Sequence, residues 1–474
     1  MSRIVSATSW TTLSTIVNLA LTMIQLAVLA RILAPSVFGQ FAVINMVMEI
    51  FVAFALGGIS NFLIFRQDAD QSTNNAIYYL ALGIGSVFSV VFYLVTPILA
   101  TALGYEEIIQ ELKVATLMLV ISSLASQYQA VGMKCFKHKR VAQIDIIAKT
   151  ASFIFAISNT HLGLLCLVGS VVIYQLVRLI GFMAALSKDM NLSLHVNKSI
   201  YREAFNYGIF DFGSQALNIL GRQLDVIILS ITLSNSQLGI YHVLKQLASR
   251  PAQALQPVIN KVALPAFGEI KEVLQRFSRT YKDFYILQLF VLAFIYVPLI
   301  TFPELVVSLF FGEEYSSQYL VFAVLSCFWF VRVFSSNLVG PLVQATGQTR
   351  KHFIWNIAIL IPNACVIYLS SSFGVLPLVV SMLTFQTILF PLVNYYFAGP
   401  IANVTFKYSV GAMLTVISFI AVPLLITKFF IARAVPDVFL LKESIVALST
   451  VSASLLLFIQ YKEIKSSIQR VKGF

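Results

Sequence analysis

About fourteen apolar runs, each of roughly 20 residues or more, follow one another along this chain with little between them. They begin near residues 8, 37, 75, 108, 139, 162, 205, 237, 281, 315, 350, 374, 406 and 436. A run of that length crosses bilayer hydrocarbon as an α-helix, because lipid leaves every backbone N–H and C=O to be satisfied inside its own segment. The fold class expected is therefore an all-α polytopic membrane protein. Composition agrees, with 58% of residues hydrophobic and 11% charged, and a mean hydropathy of +0.86. The longest connections, near residues 188–204 and 264–280, hold fewer than about twenty residues, too few for a soluble catalytic or nucleic-acid-binding domain.

A net charge of +12 would point to nucleic acid in a soluble protein. In a membrane chain the placement of lysine and arginine matters more. With the N-terminus inside, the basic clusters Lys134 to Arg140, Lys188 to Arg202, Lys261 to Lys282, Arg350-Lys351 and Lys462 to Lys472 all fall on the cytoplasmic side. The opposite loops are acidic through Glu106, Glu107, Glu111, Glu304, Glu313 and Glu314. Both termini are expected in the cytoplasm. Lys245, Arg250, Pro251 and Pro257 interrupt the eighth run, yet it must cross, or every later loop would invert its charge bias. No cleavable signal sequence is read, so the first span stays. The four cysteines show no CxxC spacing, which predicts free thiols, no metal and no cofactor.

The chain carries an internal duplication. Ser14, Asn18, Ser36 and Gly39 recur two hundred residues later as Ser214, Asn218, Ser236 and Gly239. An acidic outer turn, Gly104-Tyr-Glu-Glu, has a counterpart in Gly312-Glu-Glu-Tyr. Two basic inner loops, Lys137-His-Lys-Arg and Thr349-Arg-Lys-His, also correspond. Six spans per copy is an even number, so both copies start on the same side and form a parallel repeat. The expected organisation is an N-lobe over residues 1–187, a cytoplasmic linker at 188–204, a C-lobe at 205–400, a helix pair at 401–460 and a basic tail at 461–474. Apolar positions at Ile270, Val273, Leu274, Phe277 and Tyr281 predict an amphipathic interfacial helix over about 265–281.

On span seven, Asp211, Ser214, Gln215, Asn218, Arg222 and Asp225 recur at three- and four-residue steps and share one face. On span one, Thr11, Ser14, Thr15, Asn18, Thr22 and Gln25 form the matching neutral stripe. Two such stripes facing each other would line a hydrated path; interhelical hydrogen bonding is the bland alternative. The membrane interior also holds Lys149, Arg178, Arg222, Lys245, Arg250 and Arg332 against Glu49, Asp145, Asp211 and Asp225. Each would cost about 2.5 to 3.5 kcal/mol facing lipid at mid-span. Spacing on single helices predicts the pairs Asp145–Lys149 and Arg222–Asp225. Arg178, Lys245, Arg250 and Arg332 have no acid so placed on their own spans, and they join Arg222 as candidate anion-binding residues, with Asn18, Asn218 and Gln25 as polar companions. Arginine and lysine in a wet cavity suit a phosphate or pyrophosphate. Glu49, Asp211 and Asp225 are candidates for ion coupling or gating, and Glu49, alone near the middle of span two, is expected to pair with one of the arginines or else to carry a proton. Pro251 and Pro257 are candidate hinges.

No GxSxG, Walker loop, HExxH or glycine-rich dinucleotide fingerprint occurs, and the histidines do not cluster, so no enzymatic activity and no catalytic residue are expected.

Four segments together resemble a known group: Arg31-Ile-Leu-Ala-Pro-Ser-Val-Phe-Gly-Gln-Phe, Leu224-Asp-Val-Ile-Ile-Leu, Leu238-Gly-Ile-Tyr and Pro265-Ala-Phe. They are similar to the polysaccharide-transporter branch of the multidrug, oligosaccharidyl-lipid and polysaccharide exporter superfamily, in particular its colanic-acid-exporter type. The resemblance implies a bacterial inner-membrane flippase. Its substrate would be an undecaprenyl-pyrophosphate-linked oligosaccharide repeat unit of an O-antigen, capsule or exopolysaccharide, moved from the cytoplasmic to the periplasmic leaflet by alternating access through a cationic central cavity. It further implies that helices one and seven border a cleft, that the last helix pair offers a path for the lipid tail, and that Asp225 matches an acidic residue usual in the family. Partners implied are the lipid-linked oligosaccharide, membrane lipids, and polysaccharide polymerase and export machinery, with no nucleic acid. A peptidoglycan-precursor flippase, a cation-coupled drug exporter and a noncatalytic assembly scaffold remain alternatives.

Overall fold

The computed structural model describes residues 2–56, 71–190, 192, 200–270 and 272–434, with side chains omitted for 2–8, 56, 71, 203–218, 261 and 426–434. Among the described residues, eleven helices are long and apolar enough to cross a membrane. Two more of comparable length, over Ile200–Thr232 and Asn235–Ile270, carry the charges of spans seven and eight. At about 1.5 Å per residue both exceed the 30 Å hydrocarbon thickness. This is the all-α polytopic architecture the apolar runs predict. The run beginning near 436 and the basic tail lie outside the described residues, as do residues 191 and 193–199 of the linker.

Backbone contacts divide the chain into two compact units, Met1–Val243 and Leu244–Phe474. The first unit contains α1 (Ser2–Ala30), α2 (Pro35–Leu56), α3 (Gln71–Leu103), α4 (Ile109–Lys134), α5 (His138–Ser158), α6 (Leu164–Met190) and α7 (Ile200–Thr232), with the opening turns of α8 (Asn235–Ile270). In it α4 packs on α3 and α6, α5 on α6 and α1, and α2 on α3, α4 and α7. Ala76, Ile77, Ala81, Ala125, Tyr128, Val131, Phe182 and Leu186 build a buried core. Small side chains let helices approach, as lipid-embedded packing requires. Ser123 sits close enough to α3 to donate its hydroxyl to the Ala81 carbonyl at 2.8 Å.

The duplication is visible in the backbone. The turn after α1 closes with Leu33 N–H donating to Leu29 O at 2.8 Å, and the turn after α7 with Leu233 N–H donating to Leu229 O at 3.0 Å. The next helices start at Pro35 and Asn235 and meet at their glycines. A Cβ on Gly39 would collide with the carbonyl of Asn235, and one on Gly239 with the carbonyl of Pro35. Pro35 and Asn235 are themselves equivalent, so the contact is reciprocal, as across a two-fold axis. Glu107 seals this end, accepting hydrogen bonds from Gln40 at 2.5 Å and Asn235 at 2.9 Å. Gly104 and Gly312, the corresponding acidic-turn glycines, both take left-handed backbone, with φ of 76° and 81°.

The second unit holds the rest of α8, then α9 (Leu274–Thr301), α10 (Tyr319–Ser336), α11 (Thr349–Ser371), α12 (Val375–Val393) and α13 (Phe406–Ala434), with shorter turns between. Here α9 packs on α10 and α13, and α12 on α10 and α11. Leu289, Leu292, Tyr296, Phe330, Phe334, Phe390 and Phe397 lie in its core. Polar links cross it: Asn337 donates to Gln288 at 3.2 Å and Gln386 to Ser335 at 3.3 Å. The expected interfacial helix over 265–281 does not form as a separate element. α8 runs on to Ile270 and α9 begins at Leu274. Phe267 packs its ring 5.5 Å from Phe277 and 6.0 Å from Tyr281, because these apolar positions satisfy one another inside the protein rather than in lipid. α8 passes Pro251, Pro257 and Pro265 as one helix. Cys135, Cys166, Cys327 and Cys365 are free thiols.

Candidate functional site

The contact between α2 and α7 builds a half-exposed charged site in the first unit. Gly39 anchors α2, and Glu49 lies about 15 Å further along that helix. There Asn45 donates to Glu49 Oε1 at 3.4 Å, and Gln223 of α7 donates to Oε2 at 2.7 Å. Arg222 brings its Nη2 to 3.9 Å from the same Oε2, with the arginine side chain 62% and the glutamate 39% exposed. Arg222 thus takes Glu49 across the helix pair rather than Asp225 on its own helix. Asp225 is buried, accepts a hydrogen bond from the Tyr241 hydroxyl, and turns its other oxygen to the Val226 N–H at 2.9 Å.

A second polar cluster holds α4, α5 and α6 together. Arg178 Nε donates to Asp145 at 2.8 Å, Nη2 to Gln129 at 2.7 Å and Nη1 to Gln175 at 3.0 Å. The rings of Tyr174 and Phe182 lie 5.3 and 5.4 Å from its guanidinium carbon. The expected pair Asp145–Lys149 is therefore replaced by Asp145–Arg178. Lys149 donates instead to Gln25 of α1 at 2.9 Å, and Gln25 donates on to Ser170 at 3.3 Å. This buries Gln25 against α5 and α6. Asn18 is half-buried, bonded weakly to Ser14 at 3.4 Å, and its Oδ1 is buried without a partner. The side chains of Asp211 and Asn218 lie outside the described residues.

In the second unit, Arg250 donates to Gln246 and Gln253 of its own helix, the latter at 3.2 Å. Arg332 lies over Trp329 and Phe328, its guanidinium carbon 5.1 and 5.8 Å from the ring centroids, a cation–π arrangement. Lys245 is partly buried on α8. Sequence patterning located the charges but missed the neutral residues that hold them: Gln223, Asn45, Gln129, Gln175 and Tyr241. Gln223 adjoins Arg222 and carried no signal beyond its polarity within a span. Among the described residues, no group of three or more histidine, cysteine, aspartate or glutamate side chains is placed to hold a metal ion.

The family of polysaccharide biosynthesis proteins matches residues 28–320 of this sequence. The chain belongs to that family. It lies in the polysaccharide-transporter branch of the multidrug, oligosaccharidyl-lipid and polysaccharide exporter superfamily, the branch its motifs resemble. Among this family member's relatives, the teichuronic acid biosynthesis protein TuaB of Bacillus subtilis is 23% identical over 76% of this chain and 74% of its own length. The lipopolysaccharide biosynthesis protein WzxC of Escherichia coli is 24% identical over 74% of this chain and 72% of its own length. Among solved structures, a lipid II flippase MurJ in an inward closed conformation is similar with a TM-score of 0.75 at 12% identity, covering 96% of this chain and 98% of that one. An inward-facing multidrug transporter of the MATE family gives 0.61 at 14% identity, covering 80% and 97%. These likenesses establish the shared fold.

Proposed function

We propose that this protein is a flippase that carries an undecaprenyl-pyrophosphate-linked oligosaccharide from the cytoplasmic to the periplasmic leaflet of the bacterial inner membrane by alternating access. The observation that carries this reading is Arg222. It sits on a membrane-length helix, with its side chain 62% exposed and no hydrogen-bonded acid holding it. A guanidinium so placed needs water or an anionic ligand around it, since hydrocarbon would cost kcal/mol. A pyrophosphate offers oxygens that match the planar donor fork two at a time. Lys245, Arg250 and Arg332 supply further intramembrane cations in the second unit. Asn18, Gln25 and Asn218 are proposed as polar companions, with Asp211 and Asp225 assigned to gating. Arg178, hydrogen-bonded to Asp145 and two glutamines, serves this function through the shape of the first unit.

A peptidoglycan-precursor flippase would use the same fold, but the family match and the polysaccharide-biosynthesis relatives favour the lipid-linked sugar. The test is complementation of a strain deleted for this gene with Arg222, Arg250 and Arg332 neutralised together. Loss of polymer with accumulation of the undecaprenyl-linked intermediate, at wild-type protein level, is expected. Undiminished polymer would overturn the assignment, and is the result a noncatalytic scaffold would give.

A further inference from the structure

We infer that Glu49 is an exchangeable counter-ion, which holds Arg222 until the substrate's pyrophosphate displaces it and which reclaims Arg222 to drive the headgroup off. The inference rests on the flippase reading above and adds to it the residue that governs release.

Two arginine–carboxylate pairs within the first unit show the contrast that points to Glu49. In the Arg178–Asp145 pair the side chains are 13% and 15% exposed and the Nε–Oδ1 distance is 2.8 Å. Gln129 and Gln175 each accept from one further donor of that guanidinium. Such a pair cannot open without leaving a buried charge uncompensated. In the Arg222–Glu49 pair the side chains are 62% and 39% exposed and the gap is 3.9 Å, beyond hydrogen-bonding distance. Neither partner is sealed inside the protein, so separating them does not strand a buried charge.

The second half of the argument lies in what holds Glu49. Gln223 donates to Oε2 at 2.7 Å and Asn45 to Oε1 at 3.4 Å. Each carboxylate oxygen keeps a neutral donor when Arg222 leaves. Glu49 is thus held in place by amides and has no structural need of the arginine. Gln223 and Arg222 are adjacent on α7, so the amide that fixes the carboxylate also keeps it within reach of the guanidinium. A pyrophosphate outcompetes it, because it offers more charge and two-point geometry. Transport also requires release, and a site that only attracted would trap its cargo, so binding must stay weak enough to reverse. A fixed carboxylate beside the cation supplies that opposing force.

The test uses the full-length protein in zwitterionic phosphatidylcholine nanodiscs, titrated with undecaprenyl pyrophosphate. Binding affinity, dissociation rate and melting temperature are recorded for Glu49→Gln, Glu49→Asp and Arg222→Gln. Glu49→Gln removes the competing charge but keeps an amide in its place. It should tighten binding on the order of fivefold, the scale of a solvent-exposed charge pair, and slow dissociation in proportion. Glu49→Asp draws the carboxylate back by one methylene and should fall between wild type and Glu49→Gln. A purely structural glutamate would instead lower the melting temperature and weaken binding. Unchanged or weaker binding by Glu49→Gln, with Arg222→Gln weakened, overturns the counter-ion and leaves the flippase reading standing. Unchanged binding by Arg222→Gln overturns the reading and the inference together. If Glu49→Gln does not fold, Glu49→Asp decides alone: tightening supports the counter-ion, and its absence overturns it.

Discussion

Gly39 and Gly239 lie backbone against backbone, each occupying the place where the other helix would meet a side chain. A Cβ on Gly39 would come within 3.1 Å of the Gly239 nitrogen, and one on Gly239 within 2.8 Å of the Gly39 nitrogen, besides striking the carbonyls of Asn235 and Pro35. The neighbours in conflict are backbone atoms, which cannot rotate aside.

Alanine at either glycine should therefore destabilise the protein by about 1 to 3 kcal/mol, the scale of an overpacked helix contact. Thermal unfolding in detergent measures it, with loss of polymer in a complementation assay as the functional readout. Gly83→Ala is the control. Its Cβ meets open space, and it should be neutral or stabilise by up to about 1 kcal/mol through helix propensity.

Arg178→Gln should cost about 3 to 5 kcal/mol, because it strands the buried Asp145 carboxylate. Adding Asp145→Asn should recover part of that loss. Thermal melts of the two single variants and the double variant form the cycle. Strict additivity would show that the two side chains act independently.

Tyr241→Phe removes a donor from Asp225, an acid that is only 6% exposed. The expected loss is about 1 to 3 kcal/mol. The melting temperature of Tyr241→Phe, set against that of Asp225→Asn, measures it. A fall in transport without a fall in melting temperature would place this pair in gating rather than in packing.

Tyr105, in the turn between α3 and α4, is the site of an alkaline effect. Burial first, and then the charge of Glu107, push its phenol up from the ordinary 10 to about 12. Between those values the unfolded chain has lost the proton that the folded chain keeps, so folded stability falls as pH rises through the window. The hydroxyl is also buried without a partner. Tyr105→Phe should gain about 1 kcal/mol at neutral pH and flatten the alkaline decline, read as melting temperature from pH 8 to pH 12.

Some features were legible before any coordinates. Apolar run length marked the helices, since a segment in lipid has no other way to satisfy its backbone. The offset of two hundred residues between Gly39 and Gly239 marked the repeat, and the turns at Leu33 and Leu233 close with the same backbone hydrogen bond. The pairing of charges was legible only in part: an arginine partner for Glu49 was expected, but not which arginine. Asp145 and Lys149 stand at ideal helical spacing, as do Arg222 and Asp225, yet each acid has a partner on another helix. The amphipathic period over 265–281 was real but misassigned, because period reports which face is apolar and not whether lipid or protein covers it.

The sequence by itself determined the class of molecule, its division into membrane helices and its internal duplication, because those follow from local hydrophobicity and from spacing along one strand of chain. Only the tertiary structure decided which charge meets which. A buried carboxylate takes the donor that packing brings nearest: Arg178 for Asp145, Tyr241 for Asp225. Glu49 and Arg222 come together, 3.9 Å apart, because α2 packs on α7, and there Gln223 and Asn45 donate to the carboxylate. That distance depends on two helices whose contacting residues lie far apart in the chain, where helical periodicity carries no information.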